Sequence, residues 1–276
     1  MADLNEPMEL SDGLRMPRIG FGTWRLTDES APAAVAAALE DGYRLIDTAE
    51  LYKNEKGVGE GVRASGLREE VVVQSKVWND HHGTEEPRRA LERSLELLGL
   101  DRIDVYLVHW PAPAQDLYVD TWRALAEARE EGLVASIGVS NFLPAHIERL
   151  IAETGVAPAL NQIELHPYFN QAALRDWHAE KGIAVQAWGP LGQRSGSLMD
   201  EPVLREVSEA HGKDAGQVIL RWHLQHGTVP VPKSSNPERI RSNLEVFDFE
   251  LSDAEMEAID GLDTGVRQGM DPETVN

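Results

Sequence analysis

Four side chains that can hold or move a proton follow three successive β-like segments of the chain. Asp47 ends the second segment, and Tyr52 follows it by five residues. Lys76 ends the third segment and His109 ends the fourth. A tyrosine hydroxyl has an ordinary pKa of about 10, and a nearby ammonium group lowers it by favouring the phenolate. Lys76 can supply this charge, Asp47 can hold Lys76 in place, and His109 can donate a hydrogen bond to a substrate oxygen. The pattern predicts that Tyr52 is a proton donor.

Other β-like segments also end in polar or aromatic side chains. Each of these residues follows an apolar run, so an arrangement of the strands around one axis would point them into a shared mouth. One such residue could be a core group with a hydrogen-bond partner. Several together are hard to explain structurally, because each buried polar group needs its own partner. The further residues of this kind are Ser140, Asn141, Gln162, Trp188 and Lys233.

The segment after the eighth β-like run combines a helix start with two cations. Asn236 is a favourable N-cap, Pro237 is a favourable first helical residue, and N–H groups exposed at a helix start can bind phosphate. Lys233 and Arg239 can add charge-assisted contacts. These residues could also form an ordinary cap with surface cations, but cations are scarce in a chain whose formal net charge is −21. The segment is therefore predicted to bind phosphate.

The elements that would position these residues alternate along the chain. Eight short apolar runs, each followed by an amphipathic stretch, predict an α/β fold, a closed parallel (β/α)8 TIM barrel. Asp12 and Gly13, between residues 8–11 and 14–16, predict an N-terminal β-hairpin with a two-residue turn. Additional helical stretches after the seventh strand and at the end predict extra helices, and residues 1–276 are expected to form a single domain. The predicted strands are 18–22, 43–47, 71–76, 103–109, 135–140, 159–163, 184–188 and 228–232.

A doubly wound sheet is the alternative architecture. Its dinucleotide site needs the pattern G-x-G-x-x-G after the first strand. Gly20 and Gly22 supply the first two glycines, but Arg25 stands where the third is required. The glycines between Gly57 and Gly61 have the wrong spacing and lie in a predicted helix. The missing pattern favours the barrel.

The composition restricts the function classes. A charge of −21 disfavours nucleic acid and anionic lipid as partners, since both bind clustered cations. The chain has no cysteine, which excludes disulfides, thiol catalysis and thiolate metal sites. No apolar run approaches the roughly 18 residues that span a bilayer, and residues 1–10 lack the apolar core of a signal peptide. A cytoplasmic location without membrane contact is expected.

Several motifs, spread over almost the whole chain, resemble the aldo-keto reductase superfamily. Residues 47–55, DTAELYKNE, look like its first signature, and LVHWP at 107–111 carries its histidine. GVSNF at 138–142 and NQIE at 161–164 look like its nicotinamide-amide segments. Lys233 and Ser234, with Arg239 and Asn243, look like its adenosine-phosphate segment. Segments 76–80, 161–167, 188–193 and 220–225 are most similar to the bacterial 2,5-diketo-D-gluconic acid reductases.

This resemblance implies an NADPH-dependent reductase that transfers a hydride to an aldehyde or ketone, with a catalytic tetrad of Asp47, Tyr52, Lys76 and His109. Lys233 and Arg239 would hold the 2′-phosphate, and Trp188 would stack on the nicotinamide ring. A small carbonyl compound would be the substrate, and a monomer is expected. The substrate residues would be Phe21, Tyr52, Trp78, His109 and Trp110. The implied cofactor residues are Gly22, Thr23, Trp24, Asp47, Ser140, Asn141, Gln162, Trp188, Gly189, Pro190, Leu191, Gln193, Lys233, Ser234, Ser235, Arg239 and Asn243.

The chain departs from the family pattern in two places. Glu50 and Lys53 stand where small residues are usual, and their closeness to Tyr52 suggests an effect on substrate charge preference. The tail after Leu262 is short, so the large C-terminal loop of the vertebrate enzymes is expected to be largely missing.

Two other functions fit parts of the sequence. A metal-dependent barrel hydrolase would use polar strand ends together with His81, His82 and Glu85, but neither an H-x-H pair on a strand nor H-E-x-x-H is present. No metal is therefore expected. An NADPH-binding redox-sensing subunit without turnover is the non-enzymatic alternative, and the intact tetrad argues against it.

Overall fold

The computed structural model describes residues 6–192 and 198–276. Within these residues, eight parallel strands pair successively from β3 to β10. The two end strands also meet, because Gly20 N donates to Pro230 O at 2.9 Å and Gly22 N donates to Pro232 O at 3.0 Å. These bonds close the ring and confirm the predicted barrel. The strands are β3 (Phe21–Gly22), β4 (Leu45–Asp47), β5 (Val72–Val77), β6 (Ile103–Val108), β7 (Val134–Ser140), β8 (Leu160–Glu164), β9 (Ala184–Trp188) and β10 (Val229–Pro230).

Helices surround the barrel and cover the outer faces of its strands. Strands buried on both faces read as nearly continuous apolar runs, as the sequence shows for β6. Helix α8 begins with a reciprocal cap, in which Asp214 and Gln217 each accept a backbone N–H bond from the other residue. The helices are α1 (Ala31–Asp41), α2 (Glu55–Ser65), α3 (Glu86–Leu98), α4 (Tyr118–Glu130), α5 (Pro144–Thr154), α6 (Ala172–Lys181), α7 (Pro202–His211), α8 (Ala215–Gln225), α9 (Pro237–Ser242) and α10 (Asp253–Asp260).

The N-terminal hairpin consists of β1 (Met8–Glu9) and β2 (Arg15–Met16). Its turn is longer than predicted, since Leu10 N donates to Leu14 O and three residues, 11–13, lie between them. Gly13 has a φ of +89°, which provides the left-handed residue of such a turn. Leu10 and Met16 are buried in a cluster with Leu45 and Val105, inside the barrel. The hairpin therefore packs into the amino-terminal end of the barrel.

Alternation along each strand separates two layers of side chains. In β4, Leu45 belongs to the cluster inside the barrel and Ile46 to the cluster beneath the helices. Asp47 then points inward again, at the carboxyl end of the strand. The first and eighth strands are shorter than predicted, because Pro230 and Pro232 have no N–H with which to extend the ladder.

Among the described helices, none combines the length and the apolar character that crossing a bilayer requires.

Candidate active site

Lys76 lies at the centre of a buried ionic cluster at the carboxyl ends of β4 and β5. Its ammonium group donates to Asp47 Oδ1 at 2.7 Å and to the carbonyl oxygen of Thr48 at 2.9 Å. The Tyr52 hydroxyl lies 3.5 Å from the same nitrogen. Asp47 and Lys76 are almost completely buried. The structure thus brings together three of the four residues predicted as catalytic.

Tyr52 reaches this cluster from a short 3₁₀ helix, Glu50–Tyr52, which directly follows β4. Its ring centroid lies 4.8 Å from that of Trp24 and 5.8 Å from that of His109. His109, one residue beyond β6, has Trp78 against its other side at 5.2 Å. The fourth predicted catalytic residue therefore lies beside the tyrosine, and aromatic rings enclose both.

Burial controls the protonation of all three titrating groups. It raises the pKa of Tyr52 well above its ordinary value, and the negative charge of Asp47 raises it further. It lowers the pKa of Lys76, although Asp47 opposes that shift. Burial and the Lys76 charge hold the pKa of His109 well below its ordinary value. The predicted lowering of the Tyr52 pKa is not found, because burial and the Asp47 charge both shift the pKa in the opposite direction. Tyr52 is a protonated donor and His109 a neutral imidazole.

A network of three glutamine side chains supports Asp47 from inside the barrel. Gln74 and Gln162 donate to Asp47 Oδ1 at 2.5 and 3.0 Å. Both also donate to Gln186 Oε1, at 2.7 and 2.6 Å. Sequence reasoning singled out Gln162 but missed Gln74 and Gln186, although each alternates with apolar residues along its strand. The network fixes the carboxylate that holds Lys76.

A cavity of about 420 Å³ opens above this cluster. Most residues predicted to bind a cofactor or substrate line it: Gly22, Trp24, Asp47, Tyr52, His109, Trp110, Ser140, Asn141, Gln162, Trp188, Gly189, Pro190, Leu191 and Lys233. Seven lining residues were not predicted as site residues, namely Arg25, Leu51, Gly192, Val231, Pro232, Gly269 and Met270. Arg25 could have been noticed as a cation beside Trp24 in an acidic chain, but nothing in the polar tail marked Gly269 or Met270.

Trp188 and Asn141 are joined at the cavity wall. The indole Nε1 of Trp188 donates to Asn141 Oδ1 at 2.7 Å. Asn141 Nδ2 donates to the carbonyl oxygen of His109 at 3.1 Å and to Ser140 Oγ at 3.0 Å. Asn141 adopts a left-handed φ of +64°, which asparagine tolerates. These bonds hold the plane of the Trp188 ring in one orientation.

Several predicted site residues lie away from the cavity. Phe21 is almost fully buried beneath the helices, 5.7 Å from the Tyr43 ring, so its placement as a substrate residue is not supported. Thr23 is buried, and its backbone and side chain both donate to the carbonyl oxygen of Asp47. The Trp78 ring contacts His109 but does not line the cavity. Asn243 is buried against Tyr43. The predicted cofactor residue Gln193 lies outside the described residues.

The predicted phosphate segment differs from expectation in one respect. Asn236 Oδ1 accepts hydrogen bonds from the N–H groups of Glu238 and Arg239, at 2.8 and 3.2 Å. These N–H groups of the short helix α9 are therefore already capped. Lys233, Ser235 and Arg239 are exposed, and buried Ser234 accepts from Arg239 Nε at 3.5 Å. The side chains of Lys233 and Arg239 are therefore available to bind an anion. The capped N–H groups at the start of α9 are not available.

Lys233 and Arg25 form a pair of cations at the cavity wall. Partial burial lowers the pKa of Lys233, and the charge of Arg25 lowers it further. Arg25 has a left-handed φ of +65°. Two like charges held together in so acidic a chain favour an anionic ligand between them.

Glu50 and Lys53 lie outside the cavity wall. Glu50 Oε2 accepts from the backbone N–H of Trp78 at 3.0 Å, and Oε1 lies 2.8 Å from His81 Nδ1. Lys53 is exposed at the end of the 3₁₀ helix. Neither residue is placed to set substrate charge preference directly. Glu50 instead connects the Tyr52 helix to the loop that carries Trp78.

The residues of the hydrolase alternative do not form a metal site in the part of the chain that the structure describes. No group of three or more acidic, histidine or cysteine side chains there is placed to hold a metal ion.

Comparison with known proteins places this site in a family. The model of the aldo/keto reductase family matches residues 18–264. An aldo-keto reductase of Mycolicibacterium smegmatis is 50% identical over 97% of both chains, and methylglyoxal reductase DkgA of Yersinia pestis is 47% identical over 96% of both. The crystal structure of a Gox0644 mutant in complex with NADPH superposes with a TM-score of 0.94, at 44% identity over 98% of each chain.

The family match spans most of the chain, and the two relatives cover nearly all of it. The resemblance seen in the sequence motifs is therefore confirmed, together with the enzyme class and cofactor that it implied. The chain belongs to the aldo/keto reductase family and is an NADPH-dependent oxidoreductase.

Proposed function

We propose that this enzyme reduces small aldehydes and ketones to alcohols, with Tyr52 as the proton donor to the carbonyl oxygen. The observation that carries the proposal is the cluster of the Tyr52 hydroxyl, Lys76 Nζ and His109 at the floor of the cavity. When NADPH is bound, it supplies the hydride; the protein supplies position and charge.

The residues around the cavity fit this cofactor. Trp188, held by Asn141, offers a flat aromatic face for a nicotinamide ring. Gly22, at the end of β3, gives close backbone access to the cavity. Arg25 would meet the other negative phosphates, and Lys233 and Arg239 would meet the 2′-phosphate that distinguishes NADPH from NADH. The buried glutamine network and Asp47 stay beneath the cavity as its support.

The proton step follows from the protonation states. Because the raised pKa keeps Tyr52 protonated, its hydroxyl can donate to the carbonyl oxygen as negative charge develops there. Lys76 lies 3.5 Å away, and its positive charge stabilises the phenolate that remains. Neutral His109 can donate one hydrogen bond to the same oxygen and orient it. Tyr52 then regains its proton from solvent after product release.

The substrate wall is aromatic and small. Trp24, Leu51, Trp110 and Met270 line it beside Tyr52. A related protein is named methylglyoxal reductase, which supports small dicarbonyl compounds as the substrate class. Methylglyoxal and 2,5-diketo-D-gluconate are the two compounds to test first. The enzyme is further proposed to act in the cytoplasm. It is also proposed to act as a monomer, because one chain supplies every proposed catalytic group.

A substrate panel tests the proposal. The purified chain is mixed with NADPH and with methylglyoxal, 2,5-diketo-D-gluconate, simple aldehydes and simple ketones, and absorbance at the nicotinamide band is followed. We expect multiple turnovers with at least the small dicarbonyls. Tight NADPH binding without turnover on any carbonyl would instead support the redox-sensing alternative. Activity that survives without NADPH and is lost with a chelator would contradict the whole reading.

A further inference from the structure

The C-terminal tail crosses the mouth of the barrel. After α10, the backbone N–H of Thr264 donates to Tyr168 O at 3.0 Å. Near the end, Glu273 lies 3.2 Å from His146 Nε2, and Asn276 Oδ1 accepts from Ala114 N at 2.8 Å. The tail lies close to the site. Between these anchors it contributes Gly269 and Met270 to the cavity wall.

A buried carboxylate fastens the middle of this tail. Glu164, the last residue of β8, is fully buried. It accepts from Gln268 N at 2.6 Å and from Gly269 N at 3.1 and 3.0 Å, through both of its oxygens. Burial alone would raise its pKa, but hydrogen bonds from His166 and the two backbone amides outweigh burial and lower the pKa. Glu164 is therefore an anion held by the tail backbone.

These hydrogen bonds from Gln268 and Gly269 to Glu164, called the clamp below, also hold the tail against Trp188. Glu164 and Trp188 are register partners on the neighbouring strands β8 and β9. A Cβ atom added at Gly269 would overlap the Trp188 ring and lie 3.0 Å from Glu164 Oε2. Only glycine fits there. The Trp188 ring thus has two supports, the hydrogen bond to Asn141 at its edge and the Gly269 backbone against it.

We infer that Glu164 is a positioning residue that, through Gly269, holds Trp188 in the orientation used to bind the nicotinamide ring. The inference rests on the proposed function, because it assigns Trp188 as the cofactor platform. It also links two ligands: the tail that supports this platform continues directly into Met270, on the substrate wall. Releasing the tail would therefore weaken NADPH and carbonyl binding together, while leaving Tyr52, Lys76 and His109 in place.

The test uses the full-length chain with Glu164→Gln, whose amide turns an N–H donor toward backbone N–H groups that need acceptors. Hydrogen exchange at the amides of Gln268 and Gly269 reports the clamp without any cofactor. We expect exchange there to accelerate about tenfold or more, in keeping with the loss of hydrogen bonds to a charged group. We expect the NADPH Kd and the carbonyl KM each to rise about tenfold, with a smaller change in kcat.

Two further variants make the result decisive. Glu273→Gln is the matched control, since it neutralises an exposed tail carboxylate beside the buried His146, while its amide oxygen can still accept a hydrogen bond from that ring. It should leave the NADPH Kd within about twofold. Gly269→Ala keeps Glu164 but displaces the tail from Trp188, and it serves if Glu164→Gln fails to fold. Because both act through one contact, their effects on the NADPH Kd in the double variant should be far from additive.

Three outcomes would overturn the inference. One is faster exchange at the tail with an unchanged NADPH Kd and KM, which would make the clamp purely structural. Another is additive effects in the double variant, which would mean that Glu164 acts without Gly269. The third is an equal loss in Glu273→Gln. Failure of the unaltered enzyme to bind NADPH would instead contradict the proposed function, so the two failures are distinguishable.

Discussion

At the scale of the residue, the site works by removing charged groups from water and giving each one a defined partner. Lys76 is completely buried, yet it has Asp47 and a carbonyl oxygen as acceptors. A buried ammonium without such partners would lose its proton or destabilise the fold. Burial and the Asp47 charge together keep Tyr52 protonated, whereas for Lys76 the Asp47 charge opposes the effect of burial.

Replacing the proposed proton donor tests its role. Tyr52→Phe removes the hydroxyl but keeps the ring that contacts Trp24 and His109. We expect kcat for carbonyl reduction to fall about 10²–10⁴-fold, the usual contribution of a general acid. NADPH affinity, measured by fluorescence titration, should change little. Near-normal turnover would show that another group delivers the proton.

The cations near α9 make a second residue-level prediction. Lys233→Ala combined with Arg239→Ala removes two exposed positive charges from the proposed 2′-phosphate contact. The NADPH Kd should rise on the order of 10-fold to 100-fold. The NADH Kd should change much less, because NADH has no phosphate at that position. Isothermal titration with both cofactors checks this, and equal losses would refute the phosphate role.

At the scale of the element, strand alternation decides what each side chain can do. In β5, Gln74 and Lys76 point into the barrel, while Ser75 between them points outward to helix α2. There Ser75 Oγ donates to Glu55 Oε1 at 2.5 Å, and Ser94 Oγ donates to Oε2 at 3.2 Å. Helix α2 is thus connected to the strand that carries the lysine by a buried carboxyl group.

Glu55 gives this contact a pH dependence. Burial raises the pKa of Glu55 from 4.5 to about 7, although hydrogen bonds from Ser75 and Ser94 oppose the shift. The folded chain therefore holds this proton more tightly than the unfolded chain does. The contribution of Glu55 to stability is complete below about pH 4.5 and is lost as the pH rises through 7. Glu55→Gln abolishes the titration.

The change should appear in urea unfolding at two pH values. Between pH 5 and pH 8, the unaltered chain should lose about 2 kcal/mol of unfolding free energy that comes from Glu55. Glu55→Gln should not show this loss. A control with Glu60→Gln, an exposed position on the same helix, should show the same loss as the unaltered chain. If the two pH values give the same effect for Glu55→Gln, the carboxyl group titrates near its ordinary pKa.

Most elements could be predicted from the sequence because apolar runs and helical periodicity are local signals. The seventh strand has the predicted bounds, and every other strand end except the start of the first strand lies within two residues of the prediction. The largest errors lie at the first and eighth strands, where barrel closure between distant segments sets the pairing. The hairpin turn was misjudged because the strand register, set by Met8 opposite Met16, determines its length.

The residues of the site could also be predicted only in part. Polar residues at strand ends identified the floor of the cavity, since parallel strands bring those ends together. Periodicity does not state which face of a two-residue strand turns inward, so Phe21 was assigned to the wrong layer. The direction of the Tyr52 pKa shift depends on how the half-buried side chain is removed from water beside Asp47, which a loop position does not reveal. Gly269 and Met270 join the wall through a long-range contact with Glu164, for which a local pattern has no signal.

At the scale of the whole molecule, charge is the dominant feature. The formal net charge is −21, so the excess carboxylates repel one another. The surface ion pairs offset this repulsion only in part. A cofactor with several negative charges must also approach through this field. Arg25 and Lys233 therefore provide a local positive charge in a negatively charged molecule. They attract the cofactor phosphates only at short range.

Salt should stabilise the fold as a consequence. Raising NaCl from 10 to 200 mM screens the mutual repulsion, and we expect Tm to rise by roughly 3 °C, equivalent to about 1 kcal/mol. Repeating the series near the sequence pI of about 4.8, where the net charge is small, should remove the effect. A Tm that falls with salt at neutral pH would mean that surface ion pairs outweigh the net charge.

The hairpin that packs into the amino-terminal end of the barrel has a kinetic consequence. With Leu10 and Met16 filling that end, the cavity has its doorway on the opposite side, where the tail also crosses. Among the described residues, cofactor and carbonyl then share the cavity at the carboxyl ends of the strands. The molecule that sits deeper has to arrive first and leave last. The depth at which each ligand binds in the cavity would then set the order of ligand binding and release.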